Sequence, residues 1–313
     1  MEAGRQQEQA ALVALLRATA AAWPEVTADV LEAGSALAVW RDWRDEHEPA
    51  TLLDAPDTSE ADPLAAAAAD IARWAGQDWH LTTILDDGYP ARLREIHQAP
   101  PFLFWRGKLL PGDPAVAVVG SRDASGRALG IARGIAHELV RRKISVAAGL
   151  ARGIDTAAHR TALDEGGRTV AVIGTGISRV YPPENAGLHD EIAARGLLVS
   201  QFWPDAPPQK HTFLMRNATM SGYSLATIVV EAGEKSGARV QARLAVEHGR
   251  PVILTDLVAE RNEWARAMAG RPGVQVASGL RETAGLIDRL IAGQQDVRAD
   301  LDKLAAARAG TRE

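Results

Sequence analysis

The sequence predicts an α/β fold: a doubly wound, mostly parallel sheet preceded by a small helical domain. From Ala115 onward, seven short apolar or β-branched runs alternate with amphipathic stretches. Within each run nearly every residue is apolar, as in strands covered by helices on both faces. Ahead of them, residues 8–75 space their apolar side chains by three to four, the period of helices with one buried face.

The expected strands are "AVAVVGS", "ISVAAG", "RTVAVIG", "LLVSQF", "ATIVVEA", "PVILTD" and "VQVAS". The expected helices of the first part are "ALVALLRATAAAW", "VTADVLEAGSALAVWRDW" and "DPLAAAAADIARWAG". Between the last two lies "RDEHEPATLLDAPDTSEADP", whose polar residues and prolines predict a loop. The proline-rich "DDGYPARLREIHQAPPFLFWRGKLLPGDP" is expected to thread onto the sheet domain. This gives a helical domain over 1–79, a sheet domain over 80–293 and a polar tail over 294–313.

Composition narrows the function. The chain has 313 residues and no cysteine, which excludes disulfides, thiolate metal sites and cysteine nucleophiles. No window approaches the roughly 18 apolar residues of a membrane span, and the N-terminus lacks a signal-peptide pattern, so a cytoplasmic protein without membrane contact is expected. The net charge of -5 hides a gradient. Residues 1–100 carry 7 Lys/Arg against 18 Asp/Glu, whereas residues 101–250 carry 19 against 13. The acidic part is the helical domain, and the basic part is the segment able to face a polyanion.

Ligands of doubly wound sheets collect at the carboxyl ends of the strands. Three successive runs end there in glycine and arginine: Gly120-Ser121-Arg122, Gly149 with Arg152, and Gly174 and Gly176 with Arg179. A helix start beside an arginine is a phosphate site in waiting. Farther on, one connection carries Lys210, His211, Arg216 and Asn217, and Ser236-Gly237 opens another helix. Asp155 is read as a helix N-cap, and His159 as either an internal hydrogen-bonding residue or a base. No G-x-S-x-G, P-loop or complete dinucleotide fingerprint is present, so a catalytic site is not expected.

The runs "YPARLREIHQAPPFLFWRG", "VAVVGSR", "GLARGIDTAAHRTAL", "GGRTVAVIGTGISRVYPPEN", "RNATMSG" and "VVEAGEKSGARVQARLAVEHGRPV", spanning about Tyr89 to Val252, resemble the DNA-processing protein A family, DprA/Smf. The resemblance implies an extended Rossmann-like fold that binds single-stranded DNA in a basic pocket without catalysis and without a cofactor. It implies a homodimer, a RecA-type recombinase as partner, and a setting in recombination or natural transformation. The arginine of the family's G-S-R motif falls on Arg122, the basic residue ahead of its F-P-x-R-N segment on Lys210, and the R-N itself on Arg216 and Asn217. These would clamp phosphates, with Gly120, Ser121, Gly149, Arg152, Gly174, Gly176, Ser236 and Gly237 around them. In "GLARGIDTAAHR" the glycines would make the turn, Asp155 cap the helix, Arg152 reach ligand and His159 orient the cleft.

The sequence departs from the family pattern at "FLMRNATMSGYS", where the proline is lost and Ala218 stands for the second arginine, and at "SGARVQA" and "TDLV". A C-terminal winged-helix domain is not expected after about residue 293. Two other classes remain open: a nucleotide-sensing protein of a defence or signalling system, and a structural protein whose acidic helices recruit a partner. A phosphoribohydrolase would need a P-G-G-x-G-T-x-x-E loop, which the sequence lacks.

Overall fold

The computed structural model describes residues 2–47 and 62–293. Helices α1 (Glu2–Ala18), α2 (Trp23–Ala33), α3 (Ala36–His47) and α4 (Pro63–Ala75) come first. The segment expected as one helix over 26–43 is two, because Gly34 adopts a left-handed conformation (φ 67) that ends α2. Glu8 of α1 fixes the break by accepting from Ser35 Oγ and from the Ala36 and Leu37 amides. Helix α3 then runs four residues into the expected loop. Residues 48–61 of that loop and the expected tail 294–313 lie outside the described residues, and the loop's last two residues open α4.

All seven expected strands form, as β3 (Ala115–Val119), β4 (Ser145–Ala148), β5 (Thr169–Val172), β6 (Leu197–Ser200), β7 (Ala226–Val229), β8 (Val252–Thr255) and β9 (Val274–Ala277). Two more strands that patterning missed form ahead of and within the proline-rich segment, β1 (His80–Thr83) and β2 (Phe102–Gly107). Among the described residues these nine strands make one sheet in the order β1-β2-β6-β5-β4-β3-β7-β8-β9. The pairs β1–β2 and β2–β6 are antiparallel and every other pair is parallel.

Alternation along β3 shows why both faces need cover. Val116 and Val118 point into a cluster with α5 (Gly126–Arg141), α6 (Ile154–Asp164) and a helix α12 over 280–293. Ala115, Ala117 and Val119 point into the opposite cluster, with α7 (Ala186–Arg195), α8 (Lys210–Tyr223), α9 (Gly237–Glu247) and α11 (Glu263–Ala269), which follows the short α10 (Asp256–Arg261). That second cluster also holds the helices of residues 2–75, whose Trp23 and Trp74 pack on Phe102 and Phe104 of β2. The 1–79 and 80–293 division is therefore proposed as one of topology, across a shared hydrophobic cluster.

The chain lays β3 to β6 outward on one side of β3, then returns through α8 to place β7 on its other side. This reversal opens a crevice at the carboxyl ends of β3 and β7, where connecting loops leave in opposite directions. No helix among the described residues is long and apolar enough to cross a membrane.

Candidate nucleic-acid interface

Two adjoining cavities occupy that crevice. One, of about 410 Å3, lies between the ends of β3 and β7 and is lined by Gly120, Ser121, Arg122, Asn217, Ser236 and Gly237. The other, of about 240 Å3, lies toward β4 and β5 and is lined by Gly149, Arg152, Gly174, Tyr181 and Glu184. Arg122, Ala151, Phe213 and Arg216 belong to both. The fold thus gathers ten of the twelve sequence-predicted site residues. Gly176 and Lys210 line neither cavity.

Arg122 is the side chain best placed to meet an anion. Its guanidinium lies over the Phe213 ring, 5.7 Å from the centroid, and has no hydrogen bond or ion pair to the protein among the described residues. Arg152 is exposed and only loosely balanced, 3.6 Å from Glu184 and 3.9 Å from Asp123. Lys235, which sequence reasoning passed over, lines the larger cavity as an exposed lysine just before the helix start at Ser236. The Ser236 side chain caps α9 by accepting from the Ala238 amide, so the positive end of that helix faces the same space. A lysine directly before a Ser-Gly helix start is the signal that could have found it.

Arg216 sits differently. It is buried, and its Nη1 donates to the carbonyls of Gly149 (2.9 Å) and Val172 (2.5 Å), while Nε donates to Asn217 Oδ1. The side chain therefore ties the ends of β4 and β5 together and forms the floor shared by both cavities. Burial pulls its pKa down to about 10, against the attraction of Asp155, so it stays charged at neutral pH. Asn217 also faces inward, donating to the Gly237 carbonyl.

The glycines divide into two groups. A Cβ at Gly149 would meet the Arg216 guanidinium, at Gly174 the Phe213 ring, at Gly176 the carbonyls of Trp203 and Pro204, and at Gly120 the Ile154 side chain. These serve close packing of the protein on itself. Gly233 and Gly237 have nothing within 4 Å of that position and leave the cavity floor open. In "GLARGIDTAAHR" the N-cap of α6 is Gly153 (φ 75), and Asp155, one residue inside the helix, accepts from the Gly149 and Ala151 amides. Asp155 thus corrects the expected cap: it shapes the loop ahead of the helix, and desolvation raises its pKa.

His159 is fully buried and lines neither cavity. Thr169 Oγ donates to the Val146 carbonyl and so accepts from His159 Nδ1 at 2.6 Å. Burial, reinforced by Arg216, holds the imidazole neutral with a pKa near 3. Glu231, at the end of β7, is occupied by the amide and hydroxyl of Ser125 at the start of α5. Among the described residues, no three His, Asp or Glu side chains are placed to hold a metal ion.

The family model for DNA recombination-mediator protein A matches residues 80–270, the whole stretch that builds this crevice. The chain belongs to the DNA recombination-mediator protein A family. A DNA processing protein DprA of Streptococcus pneumoniae is 43% identical over 176 residues, 55% of this chain and 61% of that protein. Protein Smf of Synechocystis is 39% identical over 173 residues, 54% of this chain and 44% of that one. The matches thus span about half of these relatives' length. Among solved structures, DNA processing protein A from Streptococcus pneumoniae superposes with a TM-score of 0.62 at 30% identity, covering 78% of this chain and 90% of that one. DNA processing protein A from Helicobacter pylori, described with a single-stranded DNA binding mode, shares the fold with a TM-score of 0.60 at 22% identity, covering 69% and 98%.

Proposed function

We propose that this member of the family binds single-stranded DNA in the double cavity at the carboxyl edge of its sheet, as a non-catalytic step in DNA processing or recombination. The observation that carries the reading is the unpaired guanidinium of Arg122, which faces both cavities above an aromatic ring. Lys235, Arg152 and the start of α9 extend the positive surface for backbone phosphates, while Phe213 and its neighbour Tyr181, 5.4 Å away, offer rings to bases. Trp203 and Tyr223 do not face these cavities; the Tyr223 hydroxyl donates to buried Asp113. The single-stranded DNA binding described for the Helicobacter pylori protein, and the names of the relatives, support the same reading. A homodimer and a RecA-type recombinase partner belong to this proposal as well.

The nucleotide-sensor reading is favoured by one observation, the volume of the larger cavity of the crevice, which lies in the range of small-molecule pockets. Competition separates the two. A labelled single strand displaced by unlabelled single strand and not by duplex or mononucleotide supports DNA binding. A rise in melting temperature with a mononucleotide, and none with an oligonucleotide, overturns it.

A further inference from the structure

A third cavity, of about 520 Å3, opens on the same edge of the sheet where the helices of residues 2–75 meet it. Its walls come from both parts of the chain: Arg17 of α1, Arg73 and Trp74 of α4, Trp79 ahead of β1, and Trp203 in the loop after β6. The Trp74 ring lies 6.2 Å from Trp203 and 6.3 Å from Trp79. The Arg17 guanidinium sits over Trp203 at 5.1 Å and over Trp74 at 5.9 Å. Trp203 is half-buried, Trp74 and Trp79 are 7% and 6% exposed, and none of the three indole N–H groups donates to a protein acceptor among the described residues.

The local charge is positive. Arg17 and Arg73 share one carboxylate, Asp70, at 2.7 and 2.6 Å. Beside them Arg179 donates Nε to the backbone carbonyl of Asp205. Of the charged residues that line the pocket, Arg17 and Arg73 stand against Asp205. Trp203, half-buried beside two guanidinium groups, is the ring that can meet an unpaired base, with the arginines placed for its adjoining phosphate.

We propose that this tryptophan pocket is a second station for single-stranded nucleic acid, holding a base and phosphate beyond the stretch seated in the central crevice. The inference rests on the single-strand reading of that crevice. Position supports it: the strand order β6-β5-β4-β3-β7 sets the three cavities in a row over four strand spacings, about 20 Å. The loop after β5 is the common wall of two of them, with Ser178 lining the tryptophan pocket and Tyr181 to Pro183 lining the next cavity. The helical module, acidic as a whole, would then contribute basic and aromatic side chains to the nucleic-acid path.

The test uses the full chain with oligothymidylates of about 5 and about 20 nucleotides, with 5-iodouracil in the longer one for photo-cross-linking. Cross-links of the long strand should map to the segments holding Trp203, Trp74 or Trp79. Arg73→Glu, at a side chain 68% exposed and therefore tolerant of change, should weaken the long strand about ten-fold and leave the short one unchanged. Long-strand binding that depends on Arg122 but gives no tryptophan cross-link and ignores Arg73→Glu overturns this inference alone. Absence of any strand binding overturns both it and the reading of the crevice. If thymidine monophosphate blocks modification of the tryptophans while Arg73→Glu leaves strand affinity unmoved, the pocket takes free nucleotides and the proposed station is wrong.

Discussion

The guanidinium of Arg216 occupies the place a side chain at Gly149 would need: a Cβ there would collide with Nη1. The two residues are complementary, since the same Nη1 donates to the Gly149 carbonyl. A family-motif arginine and a strand-end glycine therefore form one internal joint between β4 and α8. Gly149→Ala should push the guanidinium off both carbonyls and cost about 3 kcal/mol, the scale for breaking a buried charged network. Urea denaturation would measure it. An unchanged midpoint would contradict the joint.

The buried imidazole of His159 gives stability a pH dependence. Its pKa is about 3 folded and near the ordinary 6.5 unfolded, so the unfolded chain binds the extra proton first. Stability from this group is complete above pH 6.5 and falls as the pH drops from there toward 3, by about 2 kcal/mol at pH 5. His248, also lowered by burial, adds in the same direction. Denaturation midpoints at pH 7 and pH 5 should show the loss, and His159→Leu should make it shallower. An identical slope in that variant would remove His159 as its source.

At the opposite edge of the sheet, buried Asp113 accepts from Tyr223 Oη, Arg168 Nε and Ser145 Oγ, joining α8, β5 and β4. Asp113→Ala strands three donors and should destabilise the fold by about 3–5 kcal/mol. Because this network lies away from the crevice, the folded fraction should bind its ligand with wild-type affinity. Weak destabilisation, under about 1 kcal/mol, would contradict the account.

The placement of the cations makes a further distinction. Arg122 faces both cavities, whereas Lys210, the first residue of α8, lines neither. Lys210→Ala should therefore weaken a single strand less than Arg122→Ala. Phe213→Ala, which removes the ring shared by both cavities, should cost about ten-fold. Equal losses for Lys210 and Arg122 in a titration would show that the strand runs over the α8 start instead.

Much of this was legible in the sequence, for reasons particular residues make plain. Strands such as "AVAVV" announce themselves because burial on both faces leaves no polar position. The antiparallel β2 was hidden by the prolines just ahead of it, although Phe102, Phe104 and Trp105 sit in a six-residue strand, and β1 is only four residues long. Gly34 breaks a helix that periodicity alone would continue, because apolar spacing survives on either side of it. At the site, the type of each motif residue was readable and its direction was not. Arg216 and Arg122 look alike in sequence, yet one is spent on backbone carbonyls and the other is open. Only the three-dimensional neighbours of a guanidinium decide which.

The measurement that most directly tests the central claim is fluorescence anisotropy of a labelled single-stranded oligonucleotide over a salt series, comparing wild type with the Arg122→Ala/Lys235→Ala double variant. The account predicts binding that weakens linearly in log salt for the wild type. It predicts lower affinity in the double variant, with a slope shallower by about 1.4, the value for two lost phosphate contacts on a single strand. Equal affinity and equal slope in the two proteins would contradict it.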